Sequence, residues 1–392
     1  MALYRKLRLL AAKAEGTPGT PETLLATDAV DRVSNLEFEF LTVKTSYERP
    51  GSMGKLAGIF GVRTARIRFR MPLSAETTTP RVAALYLAAC GLGNSSGGTF
   101  ARVQNGQPNI PSTTLETLTQ KFMLDGTART LYGCMGNAIL RHVAGEPVWI
   151  DFDFKGKYTG AAVQNTVASI AYSTAYTINV ALGTGFLAGM QVFASDGVNA
   201  ISGTIDSVAE NALLLKTTGV MVTGTPASMT AGTVIRGGSA IAAESILTPS
   251  FNLPTPVRFG NSGLAFGSAP AQFSPRVSKL DLDLGNKVEF MENENAADGS
   301  GIDFAYIDDF DTIAAFDPEQ ISPAANDYYT QWEAGLMMPV TWKAAAGADS
   351  VTFAMSQAEY VNFKEGTRRG LATFDMGFQD DNADLSLVFA TT

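Results

Sequence analysis

The chain has 392 residues, of which 45% are hydrophobic and 17% charged, with a formal net charge of −9. That length supports two or three domains with real cores, and the composition excludes a disordered chain. The acidic balance argues against tight binding to nucleic-acid phosphates, and two cysteines are too few for a disulfide scaffold.

Residues 1–31 read as a polar arm, with turn signals at Gly16-Thr17-Pro18-Gly19. The opening superficially resembles a secretion signal, but its apolar stretch from Leu9 to Ala12 is short and Lys13 interrupts the tail. The expectation is a protein made and assembled in the cytoplasm. No apolar run reaches the roughly 18–20 residues of a membrane helix.

Leu36-Glu37-Phe38-Glu39-Phe40 alternates strictly, as a half-buried strand does, and Ala65 to Met71 repeats the pattern. Residues 46–62 read as a long loop between them. Pro80 and Gly91 frame a short buried helix from Val82 to Cys90. Strands follow at 122–124, 130–132 and 149–155. Residues 163–248 are poor in charge and rich in Thr, Val, Ala and Gly, which suggests a small β-barrel. Five prolines between 249 and 275 mark a connector. The rest predicts a strand at 279–284, a loop to about 301, a strand near 310–316, a helix over 326–334, and strands at 351–355 and 371–378.

This order is a duplication. Arg32-Val33-Ser34-Asn35-Leu36-Glu37-Phe38-Glu39-Phe40 returns 244 residues later, between 276 and 284, as Arg276-Val277-Ser278-Lys279-Leu280-Asp281-Leu282-Asp283-Leu284. Gly91-Leu92 recurs at that offset as Gly335-Leu336. Phe152-Asp153-Phe154 is echoed 222 residues on by Phe374-Asp375-Met376. The predicted fold class is mainly β: two tandem β-sandwich domains, each with a flanking α-helix, and an inserted small β-barrel. The division is an arm at 1–31, copy one at 32–162, the insertion at 163–248, a connector at 249–275 and copy two at 276–392. Two copies of one unit suggest a ring or fibre builder, because each offers an edge that another copy can cover.

Catalytic signals are weak. His142 is the one histidine and reads as a structural strand residue. Gly93-Asn94-Ser95-Ser96-Gly97 fits a nucleophile-elbow spacing, but a helix precedes it instead of a strand. Gly51-Ser52-Met53-Gly54-Lys55 lacks the Ser or Thr and the spacing of a phosphate loop. The acids from Glu289 to Asp311 lack the order of a calcium loop. The expectation is no catalytic residue, no cofactor and no metal.

Charge is more informative. Between Lys44 and Arg70 copy one carries seven Lys or Arg residues against Glu48; between Val288 and Trp342 copy two carries twelve acids and no base. Opposite signs suggest contact between copy one of one chain and copy two of the next, with Arg66, Arg68 and Arg70 facing Asp308, Asp309 and Asp311. The alternative is that these arginines lie across from Glu37, Glu39, Asp151 and Asp153 of their own copy.

The opening Arg5-Lys6-Leu7-Arg8-Leu9-Leu10-Ala11-Ala12-Lys13-Ala14-Glu15-Gly16-Thr17-Pro18-Gly19-Thr20-Pro21, the block Ala84 to Leu92, Tyr132 to Asn137 and Val148 to Tyr158 resemble tail tube (major tail) proteins of long-tailed bacteriophages. The resemblance implies sandwich domains whose sheets join laterally into an inner barrel, with stacked rings forming the conduit for DNA ejection. Six domains per ring would come from a homotrimer. It implies partners in other phage tail proteins, DNA that passes without specific binding, no membrane, and a place in the virion. Lumen-facing candidates are Glu37, Glu39, Asp151, Asp153, Asp281 and Asp283. The rival readings are a capsid decoration or tail-terminator protein, and a carbohydrate-binding β protein.

Overall fold

Alternating side chains leave one wet and one apolar face on most of these segments, so they must stack an apolar face against something. The computed structural model describes residues 8–22, 24, 28–30, 33–41, 44–45, 59–60, 62–75, 82–96, 98–102, 116–124, 127–159, 163–181, 186, 188–238, 255–268, 272–296, 301–381 and 384–390. The protein is mainly β, built from antiparallel sheets. The first half contributes β1 (Arg8–Ala14), β2 (Ser34–Phe40), β3 (Thr64–Pro72), β4 (Leu118–Leu124), β5 (Thr127–Val143) and β6 (Trp149–Thr159). The second contributes β7 (Lys279–Asp283), β8 (Ile313–Phe316), β9 (Met338–Ala346), β10 (Asp349–Arg368), β11 (Leu371–Asp380) and β12 (Ser386–Ala390).

The pairing order occurs twice. In the first half it runs β2-β3-β6-β5-β4, and in the second β7-β8-β11-β10-β9. One row of partners crosses the first set through Phe38, Ile67, Phe154 and Gly136. Starting 244 residues later, the matching row is Leu282, Ala314, Phe378 and Tyr360. Phe154 therefore corresponds to Phe378, not to Met376 as the 222-residue echo implies. A slip of two residues keeps every side chain on its face, so alternation alone is blind to it.

The two sets are joined edge to edge. β5 pairs with β7, placing Ile139 opposite Asp283, Leu140 opposite Leu282 and Arg141 opposite Asp281. A second link comes from the hairpin Leu92–Ser96 and Thr99–Arg102, whose second strand pairs with β12. One hydrophobic core runs under both sets, from Leu10, Ile67, Phe69 and Phe154 to Trp342, Phe353 and Phe378. Leu280, Leu282 and Leu284 are fully buried at the junction; burying each contributes roughly 1.5–3 kcal/mol.

Several expectations are corrected. Part of the predicted arm is β1, which pairs along its whole length with β4. Leu10, Ala11 and Ala12 are covered, so this strand shows no alternation. The carboxylate of Glu15 fixes its end, accepting hydrogen bonds from Gly19 N, Thr117 Oγ1, Thr119 Oγ1 and Gly133 N. The predicted loop before 301 is a hairpin, Asn286–Glu292 with Ile302–Phe310. It packs on β5 and β6 through Val288, Ala305, Ile307 and Met135. The strand expected near 310–316 accordingly divides at Asp311. The connector is not a mere tether, since Val257, Phe259, Leu264 and Phe266 are core residues. Val82–Leu87 is a π-helical turn that tightens to 3₁₀ at Ala88–Cys90, and a short α-helix (α1) occupies Tyr328–Glu333. Most of the 46–62 loop, including the Gly51–Lys55 motif, lies outside the described residues.

Residues 163–238 form a separate seven-stranded sheet with its own core around Ile178, Ile201, Ile205, Leu213 and Ile235. Six of its strands, Val163–Tyr172, Tyr176–Val180, Ala212–Leu215, Ala200–Ala209, Gln191–Ser195 and Val234–Gly238, pair in a closed circuit. Val163 pairs with Gly237, so the two ends of the segment lie side by side.

His142 locks the junction of the two sets. It lies on β5, and its Nδ1 is 3.0 Å from Leu280 O on β7. Trp342 of β9 donates from Nε1 to His142 Nε2 at 3.4 Å, so the Nδ1–H donates to Leu280. Burial pushes its pKa down to about 4. The unfolded chain takes up this proton below about pH 6.5, whereas the folded chain resists until about pH 4. The imidazole should therefore leave stability flat above pH 6.5 and remove up to about 3 kcal/mol between pH 6.5 and 4. Denaturant titrations of wild type and His142→Gln across that range isolate the effect. The variant should lack the imidazole's share of the slope.

Candidate functional site

The wet face of the main sheet carries a ladder of alternating charge. On β3 the side chains of Ala65, Ile67, Phe69 and Met71 enter the core, which turns Arg66, Arg68 and Arg70 to the opposite face. β6 does the same with Ile150, Phe152 and Phe154 inside and Asp151 and Asp153 outside. The register sets Arg70 opposite Asp151 and Arg68 opposite Asp153. On the other flank, Glu37 lies opposite Arg68 and Glu39 opposite Arg66.

The ion pair of Arg70 runs directly across that register, whereas those of Arg66 and Arg68 run diagonally to the next level. Arg66 holds Asp153 with two nitrogens, one of them Nε at 2.5 Å from Oδ1. Arg70 holds Asp151 through Nε at 2.5 Å and Nη2 at 2.8 Å. Arg68 donates to Glu39 at 3.1 Å and lies 3.9 Å from Glu37. Arg141 of β5 carries the ladder across the junction, contacting Asp151 Oδ2 at 2.5 Å and Asp281 Oδ2 at 3.5 Å. Asn137 donates to Asp283 at 2.7 Å. Partial burial raises the pKa of Asp151, but hydrogen bonds from Arg70 and Arg141 outweigh it and hold the carboxyl below the ordinary aspartate value. Hydrogen bonds to Asp153 and Asp151 raise Arg66 and Arg70 in turn.

All six residues proposed for the lumen, Glu37, Glu39, Asp151, Asp153, Asp281 and Asp283, thus lie on the exposed side of strands in one sheet. The proposed interface sets are not brought together within the chain. Arg66, Arg68 and Arg70 have the partners of their own half that the alternative named. Asp308 pairs with Lys287 at 3.3 Å, and Asp309 accepts from the Phe310 N–H at 2.9 Å. Asp311 donates its N–H to Gly285 O. Within the chain, register and not composition decides which of these charged side chains are neighbours.

The second half carries the same concavity with less charge. The lining of Asn35, Glu37, Arg66, Arg68, Ile139 and Asp151 is matched by Lys279, Asp281, Ile313, Ala315, Lys364 and Asp375. Arg141, Asn137 and Arg102 were not singled out from sequence. Arg102 is buried, stacks 4.2 Å from the Phe310 ring and donates to Asn286 Oδ1 at 2.7 Å, Cys90 O at 3.2 Å, Thr312 Oγ1 at 2.8 Å and Leu284 O. Burial lowers its pKa to about 10, so it stays charged at neutral pH. Cys90 and Cys134 are free and buried, and burial raises both thiols. Among the described residues no group of three His, Cys, Asp or Glu gathers at metal-binding range. None of their helices is long and apolar enough to cross a membrane.

Asp151 holds two arginines and is partly buried, whereas Glu39 is half exposed. Asp151→Asn should lower unfolding free energy by about 1–3 kcal/mol, and Glu39→Gln by under about 1 kcal/mol. Urea titration at pH 7 measures both.

No model of a known protein family matches the chain, and no curated protein compared with it is similar in sequence.

Proposed function

We propose that the chain is a structural virion protein, the ring subunit of a bacteriophage tail tube, without catalytic activity. The observation that carries this reading is the edge-to-edge joining of two equivalent strand sets into one sheet with a continuous charged face. In this reading each set is one tube-type β-sandwich domain with its flanking helix. The charged face lines a channel through which DNA moves during ejection. Such a surface must not grip phosphate. Arg66, Arg68, Arg70 and Arg141 are each held by a carboxylate of the chain, so they are poorly placed to exchange that partner for a phosphate and release counterions.

The closed six-strand unit at 163–238 is, in the same reading, a small barrel inserted into the tube domain and turned outward. Its adjoining ends and separate core support that placement, since an insertion whose ends meet leaves the host fold undisturbed. Two tube domains per chain make a homotrimeric ring with six domains.

Electron microscopy of the purified protein tests the proposal. The expected result is stacked rings of constant diameter with three chains per ring, counted by native mass spectrometry. Six chains per ring would remove the trimer and keep the tube. Isolated trimers that never stack would favour a decoration protein.

A further inference from the structure

We infer that a second copy of the chain docks β2 onto the outer edge of β10 at residues 363–367, reproducing between chains the β5–β7 junction found within one chain. The inference rests on the ring reading above but not on what passes through the ring.

Among the described residues no strand pairs with either edge at the positions used here. Among the described residues β2 pairs only with β3. Leu41 N donates to Thr64 O on β3, so Phe38 and Phe40, out of phase with it, turn their backbone groups away from β3. β10 pairs with β9 as far as Ala358, and on that side no described strand pairs with it farther along. Phe374 N donates to Pro318 O, away from β10, so its partner Glu365 also presents its N–H and C=O outward. β7 and β5 use the corresponding edges on each other.

The pairing gives the register. Ile139 and Leu140 lie opposite Asp151 and Ile150 of β6. Their counterparts, opposite Asp375 and Phe374 of β11, are Lys364 and Glu365. Asp283 and Leu282, which pair with Ile139 and Leu140, correspond to Glu39 and Phe38. The docked strand therefore sets Glu39 opposite Lys364 and Phe38 opposite Glu365. Parity agrees independently: Phe38 and Glu365 are the residues whose backbone groups face outward.

The side chains fit that register. Glu39 and Lys364 are exposed and opposite in charge. Phe40 is 49% exposed, whereas its counterpart Leu284 is fully buried by the internal junction. Docking carries Phe40 beside Phe363, which is flanked by Trp332 and Tyr329 of α1, both exposed. The unexplained apolar patch on α1 thus lies where an incoming aromatic edge needs cover. The contact is head to tail, so repeating it closes a ring when the rotation permits.

Cysteine pairing tests the register. Glu39→Cys and Lys364→Cys chains, mixed before assembly and oxidised, should give a disulfide-linked dimer that neither yields alone. A Glu39→Cys and Arg368→Cys mixture is the control. Four residues along a strand is roughly 13 Å, beyond the roughly 7 Å that a disulfide spans. Phe40→Asp should leave the monomer folded by circular dichroism and abolish assembly. Rings that form without the 39–364 link, or that link the control equally well, would overturn this junction and leave the ring reading intact, as would a folded Phe40→Asp chain that still assembles. Wild-type protein that never assembles would remove both.

Discussion

A β-strand with an open edge carries backbone donors and acceptors that need a partner, and the architecture turns on how the β5 and β7 edges meet that need. β7 stands at the end of the second set, and β5 of the first set runs on past its partner β4, so each set offers such an edge. Inside the chain the two sets satisfy one another, and the core beneath becomes continuous because Leu280, Leu282 and Leu284 seal the seam. His142, Arg141 and Asn137 add polar contacts across the same seam. Burial strengthens the contact made by His142 and makes its loss expensive.

The junction also explains why so much of the second half lies against the first. Lys155 and Lys157 of β6 donate to Val288 O and Ile302 O of the 286–310 hairpin at 3.0 and 2.7 Å. Gly19 and Gly133 have positive φ, and the hairpin approaches both so closely that a Cβ would lie 2.6 Å from Asp303 O or 2.8 Å from Phe304 Cβ. Gly285 begins the hairpin at φ +66° with Asp311 O against it. Glycine is required there by conformation and by space together. The halves are therefore neighbours in one body, although their sequences place them on either side of an 86-residue interruption between 163 and 248.

Divergence between the halves is concentrated on the wet face. Beneath it several core positions stay apolar in both halves, Phe38 with Leu282, Ile67 with Ala314 and Phe154 with Phe378, because both must fill the same core, although Tyr360 stands where the first half has Gly136. Above it, Arg66 and Arg68 stand where the second half has Ile313 and Ala315, and Asp153 where it has Gly377. An arginine ladder is tolerated only where a neighbouring strand supplies carboxylates at the same level, so the charges on β3 and β6 must change together.

The sequence by itself determined the strands with one wet face, the duplication, the inserted β segment and the buried turn before Gly91. These signals are local: Leu36 to Phe40 and Trp149 to Lys155 alternate because one face is covered and the other is not. It could not disclose β1, whose Leu10, Ala11 and Ala12 are all covered and show no period. Nor did it reveal the 286–310 hairpin, where acids on an exposed strand read as loop. Only the tertiary structure decided which charges meet. The arginines of β3 find the acids of β2 and β6 because backbone pairing sets those strands adjacent, and nothing in the charge pattern excludes Asp308 or Asp309. It also decided the true correspondence of the halves, since a two-residue slip preserves every inside and outside position and is resolved only by hydrogen bonds between strands.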